Sequence, residues 1–171
     1  MSISMYQTSI PVFIHQLENL SKILNKASAD AESKKIDQAV FINARLAADM
    51  YPLSRQVQIA SDVVKGCAAR LSGIEVPSYK DDETTFSDLQ DRIAKTIDFL
   101  KSVNAAQIDG SEERTVTLKM HDKETHFAGQ PYLLYFVLPN FYFHISMAYA
   151  ILRHNGVEIG KTDFIGNQGL L

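Results

Sequence analysis

Apolar residues recur at alternating steps of three and four in three long segments of this chain, the spacing of helices with one buried face. The segments cover residues 10 to 27, 49 to 73 and 85 to 102. Between the first two, the polar stretch 28–35 predicts the end of a helix and a loop, and a short helical piece is predicted from 37 to 45. The predicted inner faces are Phe13, Leu17, Leu20 and Leu24, then Leu53, Val57, Ala60, Val64, Cys67 and Leu71, then Phe86, Leu89, Ile93, Ile97 and Leu100.

Residues at the ends of these segments have the chemistry of helix caps. Asp49 is suited to be the N-cap of the second long helix, with Pro52 in its first turn. Gly73 can adopt a positive φ where that helix ends. Thr85 and Asp88 have the spacing of a capping box, with Asp in place of the usual Glu.

The period changes to two between residues 111 and 128, which predicts a small β-hairpin. Val116, Leu118 and Met120 alternate there with polar residues, and 121–123 is typical of a turn. His121 and Asp122, with Glu124 and His126, have the composition of a metal clip, but we interpret them as solvated turn and strand residues. Because two strands alone are marginally stable, we expect the hairpin to pack against the helices.

The last helix is predicted to open at Gly129 and to end before Gly156, with an interruption at Pro139. Residues 127–152 include no Asp, Glu, Lys or Arg, and such a stretch is long enough to cross a bilayer. It also carries Asn140, His144 and four tyrosines, which are costly at bilayer depth. We therefore predict that it is the shared interior of a soluble, mainly all-α protein, an up-down-up-down four-helix bundle forming one domain over residues 1–171, with the hairpin between the third and fourth helices.

Charge and cysteine content narrow the classes of partner. The net charge is −3 and the basic residues are scattered, which disfavours nucleic acid as a partner. Cys67 is the only cysteine and falls on an apolar helical face, so we expect a buried, unreactive thiol and no disulfide. The first residues lack the pattern of a signal peptide, and together these features predict a cytoplasmic protein that does not bind membranes.

None of the short motifs for phosphate loops, dinucleotides, zinc proteases, dithiol redox chemistry or serine hydrolases occurs. The candidate chemistry is instead a polar cluster on apolar helices. Asn140 and His144 are four residues apart on the last helix and share a face, and Gln56 lies beside the inner face of the second. If these helices pack together, the three side chains meet in an internal polar pocket, with Tyr135, Tyr142 and Asp49 as further candidates for its lining.

Two interpretations of His144 stay open. In one, it is a metal ligand or general base oriented by Asn140 and Gln56. In the other, it is a buried histidine, hydrogen-bonded to neighbouring amides, that fixes how the helices meet. Amides are poor ligands for transition metals, so no cofactor is predicted, and a divalent metal bound through His144 is the alternative.

Three segments, 43–58, 138–144 and 149–157, resemble an uncharacterised family catalogued as a domain of unknown function, DUF1993, and the resemblance covers essentially the whole chain. That family is similar to the DinB/YfiT-like four-helix bundles, which include metal-dependent thiol transferases and are often dimers. The resemblance implies a three-histidine metal site, with one ligand on the second helix and two on the last. Gln56, Asn140 and His144 stand at the matching positions, so two of the three ligands are replaced.

The sequence thus leaves three hypotheses of function and does not decide whether the protein is an enzyme. The first is a soluble protein that binds a small molecule in the pocket near His144. The second is a homodimeric interaction module without catalysis. The third is a metal-dependent transferase of the DinB type with a degenerate metal site.

Overall fold

The structure, a computed structural model, describes residues 3–120 and 123–166. Over these residues it consists of four long helices, three short helices and one two-stranded antiparallel sheet. The last long helix runs without a break from Gly129 to His154 and forms one element. The elements in chain order are α1 (Ile10–Lys34), α2 (Gln38–Ile42), α3 (Leu53–Ser72), α4 (Phe86–Lys101), α5 (Ala105–Ile108), β1 (Thr115–Met120), β2 (Lys123–Ala128), α6 (Gly129–His154) and α7 (Lys161–Ile165).

A single apolar core is shared by α1, α3, α4 and α6. The predicted inner faces of the first three helices are confirmed, since every residue assigned to them is buried. Cys67 is fully buried as expected, and burial raises the pKa of its thiol. The protein is therefore mostly helical with a small hairpin, while the up-down-up-down order of the four long helices stays a prediction.

Two predicted boundaries are wrong. The stretch 28–35 is not a loop, because α1 continues to Lys34, buries Ala31, and ends where Lys35 takes a left-handed conformation with φ of 54°. Asp49 does not cap α3, because that helix begins only at Leu53 and Asp49 lies exposed in the preceding turn. Pro52 explains the late start, since the residue before a proline is pushed out of the helical region.

The short helix predicted from 37 to 45 ends earlier, at Ile42. The predicted cap residues at the end of α3 and the start of α4 are confirmed. Gly73 ends α3 with φ of 76°. At the start of α4, the Asp88 backbone N–H donates to Thr85 Oγ1 at 3.1 Å, and the Thr85 backbone N–H donates to Asp88 Oδ2 at 2.9 Å. Hydrogen bonds from Thr84 and Thr85 lower the pKa of the Asp88 carboxyl, so this capping box holds a carboxylate.

The predicted hairpin is also confirmed, with Val116 opposite Phe127 and Leu118 opposite Thr125. Val116 and Leu118 are buried, and the Phe127 ring lies 6.0 Å from that of Tyr132 on α6. The hairpin is thus anchored by its apolar side chains. His121 and Asp122, for which a turn is predicted, and the side chain of Met120 lie outside the described residues.

Instead of a break at Pro139, α6 contains a π-helical segment, Tyr132–Val137, which ends two residues before the proline. Proline lacks a backbone N–H, and its ring clashes with the carbonyl four residues earlier in a regular α-helix. A wider π turn is one of the ways in which a continuous helix accommodates a proline, and these turns are frequent at functional sites.

The burial of α6 differs from the prediction of a shared interior. One face is buried, with the Phe141 ring edge-on to that of Phe13 at 5.4 Å. The opposite face exposes Tyr135 and Phe143, which are 79% and 52% exposed. Only 33% of the most apolar window of α6 is buried, and among the described residues this is the one helix long and apolar enough to cross a membrane. The helix packs mainly on α3 and leaves its outer side uncovered.

Candidate functional site

A buried polar contact links α3 and α6. His144 Nδ1 lies 2.7 Å from Gln56 Oε1, and Gln56 Nε2 donates to the Tyr51 carbonyl at 3.0 Å. Because the Gln56 nitrogen is committed to that carbonyl, its oxygen faces the imidazole and His144 Nδ1 is the donor. This assigns the proton of the neutral ring to Nδ1 and leaves Nε2 as the basic nitrogen.

The environment of His144 disfavours the charged imidazolium. The residue is only 8% exposed and Gln56 only 1%. Burial, and secondarily the nearby positive charge of Arg55, lowers the pKa of His144 below its ordinary value. A neutral imidazole that donates to an amide is therefore the resting state of this contact near neutral pH.

The lowered pKa makes the stability of the fold depend on pH. The unfolded chain, with a histidine pKa near 6.5, takes up a proton first as the pH falls, so stability is present above 6.5 and declines from there towards the folded pKa. Between about pH 6.5 and 5.5 we expect a loss of at most about 1 kcal/mol from this residue. Urea unfolding should show a smaller loss in His144→Gln; an equal loss in both proteins would contradict the assignment.

Asn140 lies one turn before His144 but takes no part in the contact with Gln56. It lines a groove of about 530 Å³ between α3, β1 and α6, and within the described residues its side chain makes no hydrogen bond. The structure therefore brings Gln56 and His144 together and places Asn140 in the groove beside them. The groove is lined by Asp62, Val63, Arg70, Thr117, Leu118, Lys119, Tyr132, Phe136 and Asn140.

The other candidate residues are not part of this arrangement. Tyr135 is 79% exposed and Tyr142 is 36% exposed, and both lie on the outer side of α6. Asp49 is exposed in the turn before α3. The helical spacing explains why the two tyrosines do not lie beside His144. Neither is three or four residues from it, so neither shares the face of α6 that meets α3.

Comparison with known proteins places the chain in a family. The family model described as "Domain of unknown function (DUF1993)" matches residues 5–165. The chain belongs to the DUF1993 family. It is also similar to a solved structure, a DinB family member protein from Shewanella denitrificans, with 40% sequence identity, a TM-score of 0.89, and coverage of 97% of this chain and 94% of the other. No curated protein matches it.

These matches support the prediction of a soluble helical protein related to DinB proteins. The metal site that the DinB resemblance implies is not supported by the donors of this DUF1993 chain. Of the three matching positions, His144 has one nitrogen bonded to Gln56, and Asn140 lies in the groove. Among the described residues, no group of three or more His, Cys, Asp or Glu is arranged to hold a metal ion. One imidazole with two amides does not fit a divalent transition metal.

One polar centre of this DUF1993 protein, around Arg92, was not predicted from the sequence. The Arg92 side chain is 2% exposed, and its guanidinium contacts Glu83 at 2.7 Å, Asp62 at 3.0 Å and Asp81 at 3.1 Å. By sequence alone, residues 81–83 are typical of a solvated acidic run. The signal in the sequence that could have predicted this cluster is Arg92 itself, which stands next to the inner-face residue Ile93. A buried charge is costly unless it is paired, so an arginine at the edge of an apolar face indicates nearby carboxylates.

Proposed function

We propose that this protein binds a small molecule in the groove between α3, β1 and α6. The observation that carries the proposal is the mixed lining, in which the amide of Asn140 and the phenol of Tyr132 stand among the apolar side chains of Val63, Leu118 and Phe136. A volume of about 530 Å³ is in the range of small-molecule sites, roughly 300–1,000 Å³.

The contact between His144 and Gln56 has a supporting part in this proposal. It joins α3 to α6 one turn beyond Asn140 and holds the two walls of the groove in register. The π segment contributes in a second way, because it carries Tyr132 and Phe136 on the same wall. We place this activity in the cytoplasm on the basis of the single, buried cysteine.

A larger cavity, about 730 Å³, lies between the loop after α3 and α4. We favour the smaller groove because the larger one is lined almost entirely by polar and charged groups, and some of these are already paired. Glu83 is paired with Arg92, and Asp88 is held in the capping box. Small-molecule sites more often combine apolar surface with a few polar groups that remain available.

A thermal-shift screen with metabolites tests the proposal. At least one compound should raise the melting temperature of the wild type, since a ligand at about 100 times its Kd adds roughly 2.7 kcal/mol. The shift should be lost in Asn140→Leu, which removes the groove amide, and kept in Asn43→Leu, an exposed asparagine that does not line the groove. A shift that survives Asn140→Leu would place the ligand elsewhere.

The exposed side of α6 favours a second function, that of a homodimer. Leu134, Tyr135, Tyr142 and Phe143 are 36% to 79% exposed on a helix without Asp, Glu, Lys or Arg before Arg153. Exposed apolar side chains of this kind, three of them aromatic, are typical of protein interfaces, and two-fold dimers are the commonest assembly. We propose that a second copy of the chain covers this exposed side of α6.

Sedimentation velocity tests this second proposal. The wild type should sediment as a species of twice the 19.1 kDa chain, and Phe143→Glu should shift it to the monomer, because a buried carboxylate at the interface would lack a partner. Ile74→Glu places the same charge on an exposed apolar residue outside α6 and should leave the dimer intact. A wild type that stays monomeric at millimolar concentration would exclude the dimer.

A further inference from the structure

Arg70 is the cation that α3 contributes to the groove, and a neighbouring glycine fixes its position. A Cβ at Gly66, one turn earlier, would lie 2.3 Å from Arg70 Nη1. The guanidinium therefore occupies the space that any side chain at Gly66 would fill, folded back along its own helix. From there Arg70 Nη1 donates to the Tyr132 hydroxyl at 3.1 Å.

The phenol that accepts from Arg70 does not neutralise its charge. Tyr132 is 1% exposed, and burial raises its pKa to about 12, so it is an uncharged hydroxyl near neutral pH. Within residues 3–120 and 123–166, no carboxylate lies within 4.0 Å of the Arg70 guanidinium; the ion pairs there use other cations. Arg70 thus presents an unneutralised, positioned charge to the groove.

The groove is polarised along its length. Asp62 is its one carboxylate, and it already contacts Lys65 at 2.7 Å and Arg92 at 3.0 Å. Asp62 precedes Arg70 by eight residues on α3, a rise of about 12 Å along the helix. Lys119 on β1 adds a second cation to the lining. The end of the groove at Arg70 is therefore the place where a negative group of a ligand is favoured.

We propose that the groove takes a small-molecule carboxylate, with its carboxyl group on Arg70 and its apolar body against Val63, Leu118 and Phe136. This inference rests on the proposed small-molecule function and names the class of ligand. A guanidinium suits a carboxylate because its planar fork presents two parallel N–H donors. Nη1 is used by Tyr132, and within the described residues that is the one hydrogen bond of the Arg70 guanidinium, which leaves the edge formed by Nε and Nη2 for a ligand. The apolar lining and the Asp62 carboxylate disfavour a dianion such as phosphate.

Matched pairs of probes test the inference by NMR titration of the labelled full chain. The probes are phenylacetate with phenylacetamide, hexanoate with hexanamide, and inorganic phosphate. At least one carboxylate should bind at least tenfold more tightly than its amide, and Arg70→Gln should abolish that preference. Gly66→Ala keeps the charge but displaces the guanidinium, so it should reduce the preference as well. Arg153→Gln, an exposed arginine outside the groove, is the matched control and should bind as the wild type does.

The outcomes separate this inference from the function on which it rests. Equal affinities for acid and amide in every pair, or tighter binding of phosphate than of any carboxylate, overturn the carboxylate assignment. A metabolite hit that is lost in Asn140→Leu and carries no carboxyl group does the same while keeping the groove as a binding site. Should Arg70→Gln fail to fold, Arg70→Lys retains the charge without the fork and should still lose most of the preference; an unchanged preference there overturns the role of the fork.

Discussion

Replacing Arg92 with methionine should lower the free energy of unfolding by about 3 kcal/mol. The change leaves Asp62, Asp81 and Glu83 without their shared cation, and breaking a buried ion pair by removing one partner costs roughly 3–5 kcal/mol. We expect the lower end of that range, since Asp62 and Asp81 are about 40% exposed and water can partly solvate them, whereas Glu83 is only 9% exposed. Urea denaturation followed by circular dichroism measures the difference.

The matched control for Arg92→Met is Lys26→Met. Lys26 pairs with Asp163 at 2.7 Å, but its side chain is 52% exposed, so the loss should stay below about 1 kcal/mol. A second measurement separates local from global effects. Arg92 also donates to the Lys80 carbonyl at 2.9 Å and thereby ties down the loop between α3 and α4. Trypsin should cleave after Lys80 faster in Arg92→Met; equal losses in the two variants would show that the burial of Arg92 is energetically unimportant.

The Arg92 cluster illustrates why part of the fold could be predicted and part could not. The inner faces of α1, α3 and α4 were predictable because each depends on a periodicity within one segment. Arg92 depends on carboxylates 9 to 30 positions earlier, and no local pattern links them. Some helix boundaries depend on neighbouring residues in the sequence, and others depend on contacts with distant parts of the chain. Pro52 delays the start of α3 by a local steric rule, whereas the extension of α1 to Lys34 depends on burying Ala31 against its neighbours.

The candidate site shows the same division. The meeting of Gln56 and His144 follows from their places on two apolar faces that pack together. The position of Asn140 does not follow from the helical spacing. Asn140 shares a helical face with His144, but it lies where β1 packs beside α3 and α6 and the three elements form a groove. Arg70 could not be identified as a site residue, since its orientation is set by a missing side chain at Gly66 and by a phenol on another helix. The space that Gly66 leaves for the Arg70 guanidinium cannot be seen in the spacing of apolar residues along the sequence.

Gly129 is a position where such a missing side chain should have a large effect on stability. It joins β2 to α6, and a Cβ there would lie 2.0 Å from the Ser111 backbone oxygen and 3.2 Å from Leu71 Cδ2. The Ser111 carbonyl cannot withdraw easily, because it accepts from the Arg114 backbone N–H at 3.0 Å. The next residue, Gln130, is itself held by a 2.9 Å hydrogen bond to the Glu112 carbonyl.

Gly129→Ala should therefore lower the free energy of unfolding by about 2–3 kcal/mol, the upper part of the usual range for overpacking, even though alanine favours helices more than glycine does. Gly160→Ala is the control, since its Cβ would find only Thr162 Oγ1 at 3.9 Å and the residue has an ordinary φ of −135°. Its loss of stability should stay below about 1 kcal/mol, the cost of alanine at an N-cap.

Because Gly129 also sets the distance between the hairpin and α6, Gly129→Ala should weaken the binding of any ligand in the groove. A Gly129→Ala protein as stable as Gly160→Ala would mean that the hairpin can move away from α6 at little cost, and the groove would then lack a fixed third wall.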